Sequence, residues 1–125
     1  MNKITIVSVV FFCLFLSIGS TVSSRDCTIK EFKSEIQIDE DGSLFITENI
    51  TVFFHTSRHG IYREIPFRYK DDLGNTLTMP IDVISVKDEN NHKWKTKVSK
   101  SGNVVNIRIG DGNIYVEGKQ VYRIY

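Results

Sequence analysis

The sequence is poor in cysteine and proline, and no charge of one sign dominates it. It has two cysteines and two prolines in 125 residues. Cys13 lies in an apolar N-terminal run, so removal of that run would leave Cys27 as a free thiol or an intermolecular partner. Lys and Arg number 16 against 15 Asp and Glu. These features exclude a disulfide-stapled scaffold and the basic field that nucleic acids select.

The N-terminus has the order of segments that is typical of export. Met1, Asn2 and Lys3 are followed by an apolar run over residues 4–18 and by small residues over 19–24. This order predicts a signal peptide, residues 1–24, that is cut before Arg25. The alternative is an uncleaved membrane anchor helix over residues 4–22, which is close to the length that spans a bilayer. Either form delivers residues 25–125 to the outer face of the cytoplasmic membrane.

Beyond that segment the apolar residues alternate with polar ones, and no helical period is sustained. Phe32, Ile36 and Ile38 are expected to face a core, and residues 44–54 resume the alternation after a turn at residues 39–42. This pattern predicts a β-hairpin. Further strands are expected at residues 81–86, 94–98, 105–109 and 121–125. The predicted class is all-β, as an antiparallel β-sandwich or an open barrel.

Two stretches do not fit the strand pattern. Residues 55–75 have no sustained period and contain two glycines and a proline, which predicts a long and functional loop. At the other end, the alternation runs to Tyr125 without a turn after it. We therefore expect the β-rich domain, residues 25–125, to be truncated at its C-terminal end, or else to finish in an exposed edge strand.

Glu48 and Arg63 are the charged residues whose positions most require a partner. Glu48 lies within the apolar alternation, where an unpaired carboxylate is costly to bury. Arg63 and Glu64 are neighbours, so on an extended segment they point to opposite sides. Arg63 is predicted to bind loop carbonyls or Glu48, with Gly60 permitting a tight backbone, as a structural support for the loop.

A recognition patch is the alternative role for this segment. His59, Tyr62 and Arg63 have flat amphipathic side chains that suit contact with carbohydrate, peptide or protein. His55, His59 and Glu64 are proper zinc ligands by residue type, but their spacing matches no recognised metal motif. We therefore assign no metal, no cofactor and no catalytic residue.

Several segments together resemble the YciQ-like predicted membrane proteins, a family of unknown function. Residues 59–66 read His-Gly-Ile-Tyr-Arg-Glu-Ile-Pro and are the most distinctive match. The agreeing positions elsewhere are Asp41, Gly42, Ser43, Leu44, Thr47, Glu48, residues 107–110, Gly118, Tyr122 and Tyr125. The resemblance implies a signal peptide, an extracytoplasmic β-rich domain and then transmembrane helices, which this chain does not include. It implies no activity.

These observations predict a non-catalytic extracytoplasmic interaction or sensing module of a membrane-associated protein. The membrane would be reached through the N-terminal segment or a missing C-terminal part, and the partner would be a protein or a cell-envelope carbohydrate. The alternative is a cell-envelope hydrolase or metal-dependent enzyme that uses the loop from His55 to Glu64. Metal content and turnover of the purified protein discriminate between the two.

Overall fold

The computed structural model describes residues 25–125, and the regular elements in that range are all strands. They are β1 (Cys27–Ile38), β2 (Leu44–Arg58), β3 (Ile61–Pro66), β4 (Arg68–Lys70), β5 (Thr76–Thr78), β6 (Val86–Lys87), β7 (Thr96–Ser101), β8 (Val104–Ile109) and β9 (Val116–Ile124). The all-β prediction is confirmed. The predicted signal or anchor segment, residues 1–24, lies outside the described residues. None of the described residues forms an apolar helix that could cross a lipid bilayer.

Two antiparallel sheets pack face to face. The first has the strand order β1-β2-β9-β6, and the second has the order β3-β8-β7. Strands β4 and β5 form a separate two-stranded ribbon. The arrangement is a sandwich, which is one of the two architectures that the strand pattern predicted.

The core lies between the inner faces of the two sheets. Its buried side chains are Ile50, Val52, Phe54, Phe67, Val86, Val105, Ile107, Ile109, Tyr122 and Ile124. Trp94 packs against this core, stacks on the Tyr122 ring with centroids 4.8 Å apart, and donates its indole N–H to the Val121 carbonyl at 3.1 Å. The burial of Trp94 supports a structural role for this aromatic residue among lysines.

Strands β1 and β2 form the predicted hairpin, but its outer end does not face a core. The turn is closed by the Asp39 N–H, which donates to the Ser43 carbonyl at 2.9 Å. Gly42 has a φ of 84°, a value that glycine adopts without strain. Phe32, Ile36 and Ile38 are 49%, 61% and 72% exposed. Their predicted burial was wrong because the hairpin extends beyond the edge of the second sheet.

Residues 55–75 are not the long loop that their irregular composition predicted. Strand β2 continues to Arg58, a short turn reverses the chain, and β3 begins at Ile61. Strands β4 and β5 then form a hairpin whose turn is built on Asp71. The apolar period failed as a signal here because the inward-facing middle residue of β3 is a charged one, Arg63.

The final strand is central in its sheet and not an exposed edge. Strand β9 pairs with β2 on one side and with β6 on the other. Of the strand expected at residues 81–86, only Val86 is in a ladder. Ile81 and Val83 still pack against the core, which accounts for the apolar character of that stretch.

Candidate functional site

A bidentate ion pair links the two sheets. Glu48 of β2 is only 8% exposed, and it accepts hydrogen bonds from Arg63 of β3. Arg63 Nε lies 2.8 Å from Oε2 of Glu48, and Nη2 lies 2.7 Å from Oε1. This geometry satisfies both carboxylate oxygens with the planar fork of the guanidinium. The predicted contact of Arg63 with Glu48 is therefore present.

Arg63 also contacts the chain beside it. Its Nη1 donates to the backbone carbonyl of Glu64 at 2.5 Å, which is a carbonyl of strand β3 and not of a loop. The hydrogen bond to Glu48 is the main cause that raises the pKa of Arg63, and burial opposes it. The guanidinium thus stays charged, as the buried carboxylate requires.

Arg63 and Glu64 point to opposite faces of β3, as their adjacency predicts. The Glu64 side chain lies on the outer face, where its Oε1 accepts a hydrogen bond from Asn106 Nδ2 at 3.0 Å. Asn106 is the residue directly opposite Glu64 on β8. Glu64 is therefore a cross-strand partner on the sheet surface and does not enter the ion pair.

Two glycines bring the ends of β3 and β8 into backbone contact. Gly60 and Gly110 have φ values of 137° and 130°. A Cβ on Gly60 would lie 1.9 Å from the carbonyl oxygen of Ile109, and a Cβ on Gly110 would lie 1.8 Å from that of His59. Only glycine fits at either position. This contact fixes the start of β3, and with it the position of Arg63 along the strand.

The other predicted site residues do not form one patch with Arg63. His59 Nδ1 donates to the Ile114 carbonyl at 3.0 Å, and its ring stacks on Tyr115 with centroids 4.1 Å apart. Tyr62 is on the outer face of β3 and 68% exposed. Arg63 faces inward to Glu48. His59 and Arg63 therefore lie apart, and the exposed Tyr62 borders a separate hollow beside each of them.

The histidines in the segment that was predicted to be a loop have separate partners as well. His55 Nε2 is hydrogen-bonded to the Thr28 hydroxyl at 2.8 Å, while His59 and Glu64 have the partners described above. Within residues 25–125, no three His, Cys, Asp or Glu side chains are grouped in a way that would hold a metal ion.

An apolar groove of about 570 Å³ runs between the edges of β1 and β3. Ile29 and Phe32 line one side, and Tyr62 and Arg63 line the other. The Arg63 guanidinium carbon lies 5.6 Å from the centre of the Phe32 ring, a cation–π distance. The groove is thus bounded at one end by the same arginine that holds Glu48.

Beyond the ion pair, an exposed apolar surface continues along the hairpin. Ile36 is paired with Ile46, and Ile38 with Leu44, so these side chains share one face of the sheet. Each of them is at least 44% exposed. We call this surface the hairpin face, and it consists of Phe32, Ile36, Ile38, Leu44 and Ile46. Sequence reasoning missed it because exposed and buried positions have the same alternation.

Glu48 is the signal in the sequence that could have located this surface. It is the polar residue that interrupts the apolar alternation of β2. Residues on its C-terminal side, Ile50 and Val52, are buried, whereas those on its N-terminal side, Ile46 and Leu44, are exposed. The carboxylate therefore marks the point where the core ends and the hairpin face begins.

The segments that carry the family resemblance meet in this structure. Residues 59–66 pair with residues 104–109 in the second sheet, and Glu48 lies opposite Ile124 in the first. A family model described as "Predicted membrane protein (DUF2207) N-terminal domain" matches residues 28–124. No curated protein and no solved structure gives a match. The chain therefore belongs to the DUF2207 family of predicted membrane proteins, as its N-terminal domain.

Proposed function

We propose that this domain is a non-catalytic interaction module on the extracytoplasmic side of a membrane-associated protein, and that the hairpin face is its binding surface. The observation that carries this proposal is the exposure of five large apolar side chains on one face of a regular hairpin. Contiguous apolar surface of this kind is uncommon on proteins that bind nothing, since exposing it to water is unfavourable.

The hairpin face is attached to the core through strand β2. Strand β2 is continuous from the exposed Leu44 to the buried Phe54, and β9 pairs with it from Glu48 onward. The Glu48–Arg63 ion pair ties the hairpin to the second sheet at the boundary. Side chains presented on a regular ladder lose less conformational entropy on association than those of an unstructured segment. This supports a binding role and not a flexible linker.

The chemistry of the hairpin face favours a protein partner. Four of its five side chains are aliphatic, and aliphatic side chains pack against other aliphatic side chains without providing the flat rings that stack on sugars. The turn beyond the hairpin face carries Asp39, Glu40 and Asp41, which disfavours nucleic acid and anionic lipid headgroups. A protein is therefore preferred over the carbohydrate alternative.

Site-directed photo-cross-linking tests this proposal. The full chain in its membrane would carry a photoreactive phenylalanine analogue at Ile36, on the hairpin face, or at Phe45, on the opposite face. These side chains are similarly exposed, at 61% and 51%, so Phe45 is a matched control. Protein adducts are expected from position 36 and not from position 45. Equal labelling from both positions, or no protein adduct from position 36, would contradict the proposal.

A second measurement addresses the absence of catalysis. Arg63→Ala is expected to weaken folding or partner capture while leaving any hydrolytic background unchanged, because Arg63 is occupied by Glu48. Candidate cell-envelope substrates would be assayed with the wild-type chain and the variant. Hydrolysis that survives purification and disappears on substitution of one acidic or histidine residue would replace this proposal with the enzyme alternative.

A further inference from the structure

Strand β1 leaves one side of the first sheet open. It is the terminal strand in the order β1-β2-β9-β6. The Asp39 N–H donates to the Ser43 carbonyl, across from it on the β2 side of the hairpin. Since hydrogen bonds to one neighbour come from every second residue of a strand, the odd-numbered residues in the regular part of β1 are hydrogen-bonded to β2. The even-numbered residues therefore direct their backbone N–H and C=O groups away from the sheet. Open edges of this length are usually blocked or paired.

The charges along this edge complement themselves when Ser34 lies on the axis of an antiparallel pair. When Ser34 lies opposite Ser34 of a second copy, Lys33 lies opposite Glu35 of that copy, and the same contact occurs twice by symmetry. A shift of two residues one way places Lys33 opposite Lys33, and a shift the other way places Glu35 opposite Glu35. Like charges directly opposite each other are destabilising. Shifts of four residues would place Lys33 opposite Glu31 or Asp39, so the charges alone do not exclude them. The first of these registers runs across the irregularity between Ile29 and Glu31, and the second pairs only residues 34–38 of β1. Odd-numbered shifts would put the hairpin faces on opposite sides.

Lys33 and Glu35 are available for this exchange. They form an ion pair within β1, with 2.5 Å between Nζ and Oε1, and their side chains are 60% and 59% exposed. In the symmetric register they are a non-hydrogen-bonded cross-strand pair, in which side chains approach most closely. The Lys33–Glu35 ion pair within each copy can thus be exchanged for two ion pairs between the copies, with all four charged groups still in contact with water.

The same register also joins the apolar surfaces. Phe32 would lie opposite Ile36 of the second copy, because both are two residues from Ser34. Phe32 lines the groove beside β3, so the protruding end of each hairpin would run alongside the groove of the other copy. Each copy would then cover part of the apolar surface that the other leaves exposed.

We infer that the partner of the hairpin face is a second copy of this chain, which pairs antiparallel through β1 about a two-fold axis at Ser34. This inference rests on the proposed function and names the partner for the same surface. The open edge, the self-complementary charges, the apolar contact and the regular ladder from Glu31 to Ile38 together favour this register. The dimer joins two four-stranded sheets into one continuous sheet.

A single cysteine at the axis tests the geometry. In a full chain with Cys13→Ala and Cys27→Ser, Ser34→Cys would place two thiols opposite each other, at a Cα separation of about 5.5 Å that a disulfide can bridge. Gln37→Cys, on the same strand, is the matched control, since position 37 lies six residues out of register with itself. A covalent dimer is expected in membranes for position 34 only. Absence of that dimer, or equal cross-linking at both positions, would overturn the inference.

Charge reversal tests the register independently of any cross-link. Lys33→Glu and Glu35→Lys each place like charges opposite each other, so each variant is expected to dimerise about tenfold more weakly than wild type. An equimolar mixture of the two restores opposite charges at both contacts, and it is expected to form heterodimers near wild-type affinity. Sedimentation of the detergent-solubilised full chains measures this. A wild-type chain that remains monomeric, or a mixture no tighter than its components, would overturn the inference.

The photo-cross-link at Ile36 separates this inference from the proposed function. An adduct at twice the mass of the chain supports both. An adduct with a different protein, together with a monomeric chain, removes the second-copy partner and leaves the interaction module intact. No protein adduct at all removes both.

Discussion

The two ends of the β1–β2 hairpin have the same pattern of residues and opposite surroundings. At the inner end Ile50, two residues after Glu48, is 4% exposed, whereas Ile46, two residues before Glu48, is 44% exposed. Both lie on the same face of the same strand. The difference arises from the second sheet, which covers the inner end and is joined to β2 at the boundary by the Glu48–Arg63 ion pair. Alternation therefore identifies a face of a strand but not whether anything packs on it.

Truncation of matched isoleucines would measure this difference most directly. Ile50→Ala is expected to lower the free energy of unfolding by about 3 kcal/mol, because it removes buried methyl groups and leaves a cavity. Ile46→Ala, on the exposed side of Glu48, is expected to cost less than about 1 kcal/mol. Urea denaturation of both variants provides the comparison. Equal losses would mean that the hairpin face is covered in the protein in solution.

The Glu48–Arg63 ion pair lies at the boundary between the buried and the exposed end of the hairpin, and its removal would test what that boundary contributes to stability. Arg63→Ala is expected to cost about 2 kcal/mol, because it leaves the Glu48 carboxylate buried without its partner. The double variant Glu48→Leu with Arg63→Leu is expected to recover most of this loss, since it removes both charges together.

Arg108→Ala is a suitable control for the charge change. Arg108 is an exposed residue of β8 on the outer face of the second sheet, and its loss should change stability by less than about 0.5 kcal/mol. Denaturant midpoints of the four proteins would be compared at equal ionic strength. A double variant less stable than Arg63→Ala would contradict a purely local role for the pair.

A smaller effect than that of Ile50→Ala or Arg63→Ala is expected at Tyr122, in the covered region. Its hydroxyl is buried and has no hydrogen-bond partner among the described residues, so Tyr122→Phe is expected to stabilise the fold by about 1 kcal/mol. Burial is also the main cause that raises the pKa of Tyr122, and the Cys27 charge adds to it. Because the unfolded chain loses this proton first, the stability of the wild type is unaffected by this group well below about pH 10 and falls as the pH rises above it, so the advantage of Tyr122→Phe grows there.

The pH dependence offers a direct check. Wild type should lose stability above pH 10 more steeply than Tyr122→Phe, whereas the two should change in parallel at neutral pH. Thermal unfolding at several alkaline pH values would show this. A loss in the variant as steep as in the wild type, or steeper, would mean that the pKa of Tyr122 is not raised in the folded protein.

Much of the fold could be predicted because its strands alternate and its turns contain recognisable residues. The first hairpin, its turn at Gly42 and the buried face of β8 follow directly from the positions of apolar residues and glycine. Strand β3 could not be predicted in this way, since Arg63 replaces an apolar residue at its centre. The extent of the second sheet was also inaccessible, because it depends on which distant strands pack together.

The candidate site was predicted in part. The contact of Arg63 with Glu48 followed from the cost of burying a lone carboxylate, and this physical requirement needs no knowledge of the fold. The roles of His59 and Tyr62 could not be inferred, because β3 directs neighbouring side chains to opposite faces and Ile114 lies far along the sequence from His59. The hairpin face could not be predicted from the sequence, because it differs from the core only in having no second sheet packed on it.

The contact between Gly60 and Gly110 has a consequence for how such chains can diverge. Each position is closed by the backbone of the other segment, so a larger residue at one cannot be offset by a smaller residue elsewhere. No sequence of single substitutions that keeps this fold passes through another residue type at either site. The pair can therefore serve as a fixed point for aligning distant chains, even where the strands around it share no residues.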